Sequence, residues 1–230
     1  MIFVTGDTHI PNDIEKLNEL NFTEYKNLTK NDYVIITGDF GAIWDNSKQE
    51  LYWREWLQKK NFTTLFLDGN HENFDLLYKF PIEDRFGGKV HKINDSIYHL
   101  MRGQVFNING LKFFTMGGAS SADKENRIKN ISWWEDEIPD SNEMTEGLDN
   151  LRKHNNEVDY ILTHTCSSSI LQDITEIYEF QHKPEDDVNK YLEIIEEKVK
   201  FKHWYFGHFH EDIKIDHKHT LLFENIIKIK

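Results

Sequence analysis

A chain of 230 residues with 38% hydrophobic and 29% charged side chains is long enough to bury a substantial core and too apolar for the disordered class. Its 27 Lys and Arg against 40 Asp and Glu give a formal charge of −13, which by repulsion excludes an extended nucleic-acid surface or an anionic-membrane surface. With Cys166 as the one cysteine, no basic apolar leader before the first strand and no apolar run near the roughly 18 residues of a membrane span, the expectation is a soluble protein of the reducing cytoplasm.

Short β-branched and apolar runs at 2–5, 33–37, 64–67, 158–163 and 203–206 predict buried strands. Between the early ones, apolar residues at helical spacing predict helices over 13–28 (Ile14, Leu17, Leu20, Leu28) and 48–59 (Leu51, Trp53, Trp56, Leu57). Strand and helix therefore alternate as in βαβ units. From 97 to 117 the pattern becomes two strands joined at Asn109-Gly110, a dipeptide that favours a tight hairpin turn. The polar stretch at 120–143 reads as an inserted loop, helices are expected near 143–154 and 187–200, and the runs at 213–215 and 221–229 read as a closing hairpin. Neither a fixed-period repeat nor a Pro/Gly-rich linker divides the chain, so residues 1–230 are expected to form one domain. Parallel early strands with antiparallel later ones imply an α/β fold of two mixed β-sheets with helices outside, a four-layer α-β-β-α sandwich.

Four of the apolar runs end in glycine followed by a side chain able to hold a metal: Gly6-Asp7-Thr8-His9, Gly38-Asp39, Gly69-Asn70-His71-Glu72 and Gly207-His208-Phe209-His210. A fifth ends in Thr163-His164. Strand ends in an open α/β sheet converge on one crevice, so these distant residues can meet there. Carboxylate, amide and imidazole donors without a thiolate suit Mn²⁺, Fe, Zn²⁺ or Ni²⁺. A carboxylate bridging two such ions, with water activated between them, is suited to an in-line displacement at phosphorus.

This ordered set resembles the signature of the calcineurin-like metallophosphoesterases, which reads D-x-H, GD, GNH followed by Asp or Glu, a separate His, and GHxH; here it spans Asp7 to His210. The resemblance implies the same four-layer fold and two divalent ions, with Mn²⁺ the expected activator. It implies Asp7, His9, Asp39 and His210 on one ion, and Asp39, Asn70, His164 and His208 on the other. His71 matches the histidine that assists the leaving oxygen, and the implied nucleophile is a metal-bound hydroxide. The sequence departs from the protein serine/threonine phosphatase branch, because Ala42 and Ile43 stand where that branch carries an acidic residue and an arginine. The acidic partner expected for His71 is therefore missing, and phosphoprotein substrates are disfavoured.

Arg102 and Arg127 are candidates to hold a substrate phosphate through the guanidinium fork. Trp133 and Trp134 could cover the metals with a flat group stacked beneath them, or anchor the loop. His217 and His219 read as a polar hairpin turn, and Cys166 as a small buried hydrophobe. The leading expectation is a hydrolase of phosphomonoesters or phosphodiesters acting on a small nucleotide or similar phosphorylated metabolite. The alternatives are an interaction module that keeps the fold without turnover, or a protein phosphatase or nuclease of the same superfamily. Oligomeric state is not legible.

Overall fold

In strands, successive side chains point to opposite faces, and this chain fills both faces with apolar groups. The computed structural model describes residues 1–178 and 185–230. In chain order the elements are β1 (Ile2–Thr5), β2 (Tyr33–Ile36), α1 (Lys48–Gln58), β3 (Thr63–Phe66), α2 (Phe74–Leu77), β4 (Ile82–Arg85), β5 (Gly88–Asn94), β6 (Ile97–Leu100), β7 (Gln104–Ile108), β8 (Leu111–Met116), α3 (Ser141–Lys153), β9 (Tyr160–Thr163), α4 (Ser168–Tyr178), α5 (Asp187–Lys198), β10 (His203–Phe206), β11 (Ile213–Lys214), β12 (His219–Leu221) and β13 (Ile226–Lys228). One sheet runs β13-β1-β2-β3-β6-β5-β4 and the other β11-β12-β10-β9-β8-β7. Strands β1, β2, β3 and β6 are mutually parallel, as are β8, β9, β10 and β12, and antiparallel strands complete both sheets.

Alternation along the strands divides the interior into three apolar regions. Ile2, Val4, Ile35, Leu65 and Leu67 of the first sheet meet Phe106, Phe113, Leu162 and Tyr205 of the second. Phe3, Val34, Ile36 and Phe66 face outward onto Leu57, Trp53 and Trp56 of α1 and onto Phe74 and Leu77 of α2. Phe114, Met116, Ile161, Trp204 and Phe206 face outward onto α3, α4 and α5 through Leu151, Ile170, Ile174, Leu192 and Ile195. The chain is thus an α/β four-layer sandwich, as its alternation predicts. Among the described residues no helix is long and apolar enough to cross a membrane.

The helix starts are capped by local chemistry. Ser47 accepts from Glu50 N at α1, while Asp140 with Glu143 and Asp186 with Asn189 form reciprocal caps on α3 and α5. Asn109 (φ 50°) and Gly110 (φ 81°) both take the left-handed conformation that the β7–β8 turn needs.

Several expectations are corrected. Residues 13–28 form two 3₁₀ turns, Ile14–Leu17 and Thr23–Asn27, because the Asn18 side chain accepts from Leu20 N and Asn21 N and diverts the backbone between them. Ile14, Leu17 and Leu28 are still buried, whereas Leu20 lies exposed. The run at 221–229 is not one arm of a hairpin: β12 stays in the second sheet, and β13 crosses to pair antiparallel with β1. The Asp212 carboxylate makes that crossing by accepting from Phe223 N, Glu224 N and Asn225 N. The β4–β5 hairpin, α2 and α4 are additional to the predicted elements, α4 with Ile170, Leu171 and Ile174 on its buried face.

One buried ionic network links the layers. Asp68, just after β3, accepts from His99 Nε2 at 2.9 Å and from Arg102 Nε at 2.8 Å. Arg102 also donates to Glu143 at the start of α3 (3.0 Å) and to the Asp136 carbonyl (2.6 Å). Arg102 therefore has no nitrogen aimed at substrate, and its candidacy as a phosphate ligand is corrected to that of a structural tie. Burial opposes the Asp68 carboxylate, but Arg102 and His99 overcome it and hold its pKa well below the usual range. A depressed native pKa contributes stability above the unfolded value near pH 4 and loses it as pH falls through the native one. Arg102→Met is expected to lower stability at neutral pH by about 3–5 kcal/mol by stranding a buried carboxylate. Thermal melts from about pH 7 to about pH 3 should show the gap to wild type closing toward acid.

Candidate metal centre

Five parallel strands aim their carboxyl ends at one edge of the sandwich, β1, β2 and β3 from one sheet and β9 and β10 from the other. The residue groups that follow them meet there. Asp7, His9, Asp39 and His210 each bring one donor atom within 4.8 Å of the others. His9 Nε2 lies 3.1 Å from Asp39 Oδ2, and His210 Nε2 lies 3.2 Å from Asp7 Oδ2. On the other side of Asp39, His164 Nε2 is 3.4 Å from Asp39 Oδ1 and 3.1 Å from Asn70 Oδ1, with the His208 ring centred 4.9 Å from that of His164. The two oxygens of Asp39 thus face two different donor groups.

These side chains are held from behind. His9 Nδ1 is paired with Asp13 at 2.9 Å and His164 Nδ1 with the Thr37 carbonyl at 2.8 Å, which leaves each Nε2 facing the centre. Asn70 donates its amide to Ser121 Oγ at 3.1 Å, turning its oxygen inward. Asp7 accepts from His208 N, and Asp39 from His71 N. Two glycines make room: a Cβ on Gly69 would stand 2.0 Å from Asp39 Oδ1, and one on Gly207 would stand 2.2 Å from Asp7 Oδ1. Four of the gathered residues, His9, Asp39, His208 and His210, have positive φ (32°, 47°, 73° and 55°), a conformation L-residues avoid unless surroundings impose it.

The electrostatics are those of a cation site. Asp39 is fully buried; burial would raise its pKa, yet His164 and His9 keep it well below the usual carboxylate range. Burial likewise opposes charge on His164, but Asp39 and Asp7 hold its pKa up at about 9. Glu72 beneath them accepts from Phe40 N at 2.7 Å, and burial, with the neighbouring Asp39 carboxylate, pushes its pKa well above the usual carboxylate range. Oxygen and imidazole donors, two of them buried carboxylates, fit divalent cations.

A family model described as calcineurin-like phosphoesterase matches residues 1–212. The chain belongs to that family. Comparison with curated proteins returned no match.

At the mouth of this calcineurin-like centre a cleft of about 220 Å³ is lined by Asp39, Asn70, His71, Arg127, His208 and His210, with Ala122 and Asp123. Arg127 reaches it from the 120–143 segment, braced by Asp123 at 2.8 Å. Its Nη1 lies 3.2 Å from His71 Nδ1, and its Nη2 lies 3.4 Å from Nε2. Burial lowers the His71 pKa and Arg127 adds to that, partly opposed by Asp39. A guanidinium only donates and a neutral imidazole accepts at one nitrogen, so at most one of these two contacts is a hydrogen bond.

Trp134 does not cover the donor cluster. It is buried, donates to Asp75 at 2.9 Å and packs edge-on against Trp44. His219 is buried between Asp216 and Glu196, away from the centre, and Cys166 lies in the apolar layer beneath the helices of the second sheet. Asp13, Ser121 and Asp123 were missed by sequence reasoning. Only Asp13 carried a signal, its spacing of four from His9.

Gly69→Ala is expected to weaken divalent-metal affinity by roughly 10–100-fold, the usual cost of disturbing a ligand's support. Calorimetric titration with Mn²⁺, beside a circular-dichroism check of folding, would measure this.

Proposed function

We propose that the protein hydrolyses phosphate esters, monoesters or diesters, at a centre of two divalent metal ions, and that its substrate is a small nucleotide or similar phosphorylated metabolite. The carrying observation is Asp39 standing between two donor groups, Asp7/His9/His210 and Asn70/His164/His208, with Arg127 and His71 at the mouth. Asp39 would be the shared ligand, and Mn²⁺ suits a donor set without thiolates. Bound there, the ions would supply an activated water and charge to stabilise the phosphoryl oxygens.

The residues around the ions divide the remaining work. Arg127 offers two donors to a phosphoryl oxygen pair, a geometry a lysine does not match. Neutral His71 is suited to donate a hydrogen bond to the departing oxygen as negative charge develops on it. The absence of a carboxylate at Ala42 supports that lesser role over full proton donation by an imidazolium. The acidic body, with its formal charge of −13, favours a small substrate over a polyanion.

Asp39→Ala should abolish metal-dependent turnover of aryl phosphate and bis-aryl phosphate. Arg127→Ala should lower kcat/KM by roughly 10–100-fold, mainly through KM, if it holds the ground-state phosphate. Wild-type protein loaded with two ions and silent on both ester classes would favour the interaction-module reading instead.

A further inference from the structure

A second cavity, of about 300 Å³, opens against the same edge and shares one lining residue, His71, with the phosphate-sized cleft. Its walls are Ile10, Pro11, Trp44 and Trp53, with His9 and His71 on the side of the metal centre. The two indoles are each only part-buried.

The cavity is built before any ligand arrives. The Glu50 carboxylate accepts from Trp44 N, from Asp45 N at 2.8 Å and from Asn46 N at 2.9 Å, and is paired with Arg54 at 2.9 Å. Asn73 donates to the Trp44 carbonyl at 2.6 Å, and Arg54 Nε to the Ala42 carbonyl at 2.6 Å. Trp44 is further wedged by Trp134, and Trp53 by Tyr52 and Trp56. The loop from Ala42 to Ser47 therefore has little freedom to collapse inward.

No Lys or Arg lines this cavity, and Asp45 and Glu50 do. A phosphate is repelled there, while an uncharged flat ring is accepted by indole faces and a proline. A phosphoester with its phosphorus at the metals and its leaving oxygen at His71 would send the group beyond that oxygen into this cavity. We infer that the Trp44–Trp53 cavity is the leaving-group subsite and selects esters carrying an uncharged planar aromatic ring, a nucleobase or an aryl group. This deepens the phosphoesterase reading and rests on it for the direction in which the ester lies.

The test compares ligands differing only in the ring, on Mn²⁺-loaded protein by calorimetry: phenylphosphonate against methylphosphonate, and adenosine 5′-monophosphate against ribose 5-phosphate. In wild type at least one ring-bearing ligand should bind about tenfold tighter than its partner, the size expected of one ring stacked on aromatic side chains. Trp53→Ala should erase that ratio and Trp53→Phe should keep part of it. Preference for phenylphosphonate alone would identify the ring as a single aryl group, and preference for the nucleotide would identify a base. Equal affinities within both pairs in wild type, or a ratio that survives Trp53→Ala, would overturn the subsite. Turnover of alkyl and aryl phosphates at one rate without ring preference would sink the subsite and keep the phosphoesterase reading. Ring preference abolished by Trp53→Ala without turnover of any ester would do the reverse, leaving a ring-binding cavity beside a non-catalytic centre.

Discussion

The structure is organised around a cost: two acidic side chains, Asp7 and Asp39, are buried side by side at the meeting point of two sheets. Carboxylates almost never sit in a protein interior unless paired, because desolvation disfavours the charged form. Here the pairing is supplied by imidazoles on separate strand ends, and the high pKa of His164 and the low pKa of Asp39 are two faces of that attraction. Divalent ions bound there would take over the role of the protonated histidines, with more charge in less volume. Glu72 shows how closely the balance is set. A third carboxyl in the same interior supports the Phe40 amide, and burial and the Asp39 charge push its pKa well up, against ionisation.

Holding those groups together also costs backbone strain. His9, Asp39, His208 and His210 each adopt a left-handed conformation that disfavours a non-glycine residue by roughly 1–3 kcal/mol. The offset comes from the sandwich. Three apolar layers fix the strands, and fixed strands leave their carboxyl ends no freedom to relax away from one another. Glycines at 69 and 207 then decide how near the ligand side chains approach, since each has a carboxylate oxygen where a Cβ would be. Core and centre are thus one mechanical unit, with the strain at the edge supported by packing at the middle.

Much of this was legible in the sequence, because each ligand group is a short local pattern attached to a strand end. An apolar run of four or five residues, a glycine and a polar donor can be read without knowing what lies opposite. The sandwich follows from the same runs. What escaped depended on distant partners. The crossing of β13 to β1 is directed by Asp212, whose carboxylate collects three backbone amides from residues 223–225. Nothing in the spacing of 221–229 announces that. Arg102 and Arg127 look alike in sequence, both lying in the middle segment; Asp68, next to a ligand strand, captures the first and leaves the second at the mouth. Trp134 could be read as cover or anchor, and Asp75 decides for anchor.

The 120–143 segment shows why a shared centre and an individual specificity can coexist in one chain. It is pinned at three points, by Trp134 on Asp75, by Ser121 on the Asn70 amide, and by the Asp136 carbonyl on Arg102, while Glu137 accepts from Ser121 within it. Two of these pins are also parts of other structures: Ser121 supports the Asn70 amide, and Arg102 neutralises Asp68. The segment that delivers Arg127 to the cleft is therefore fastened to the ligand strands themselves. On the opposite side, Trp44 is held by Glu50 and Asn73, residues at the starts of α1 and α2 that lie outside the donor cluster. Changes there can reshape what sits beyond His71 without moving a metal ligand. Such separation of fastenings lets the donor cluster stay fixed while its surroundings vary, and it explains why the donors can be read from the sequence while the shape of the cavities beside them cannot.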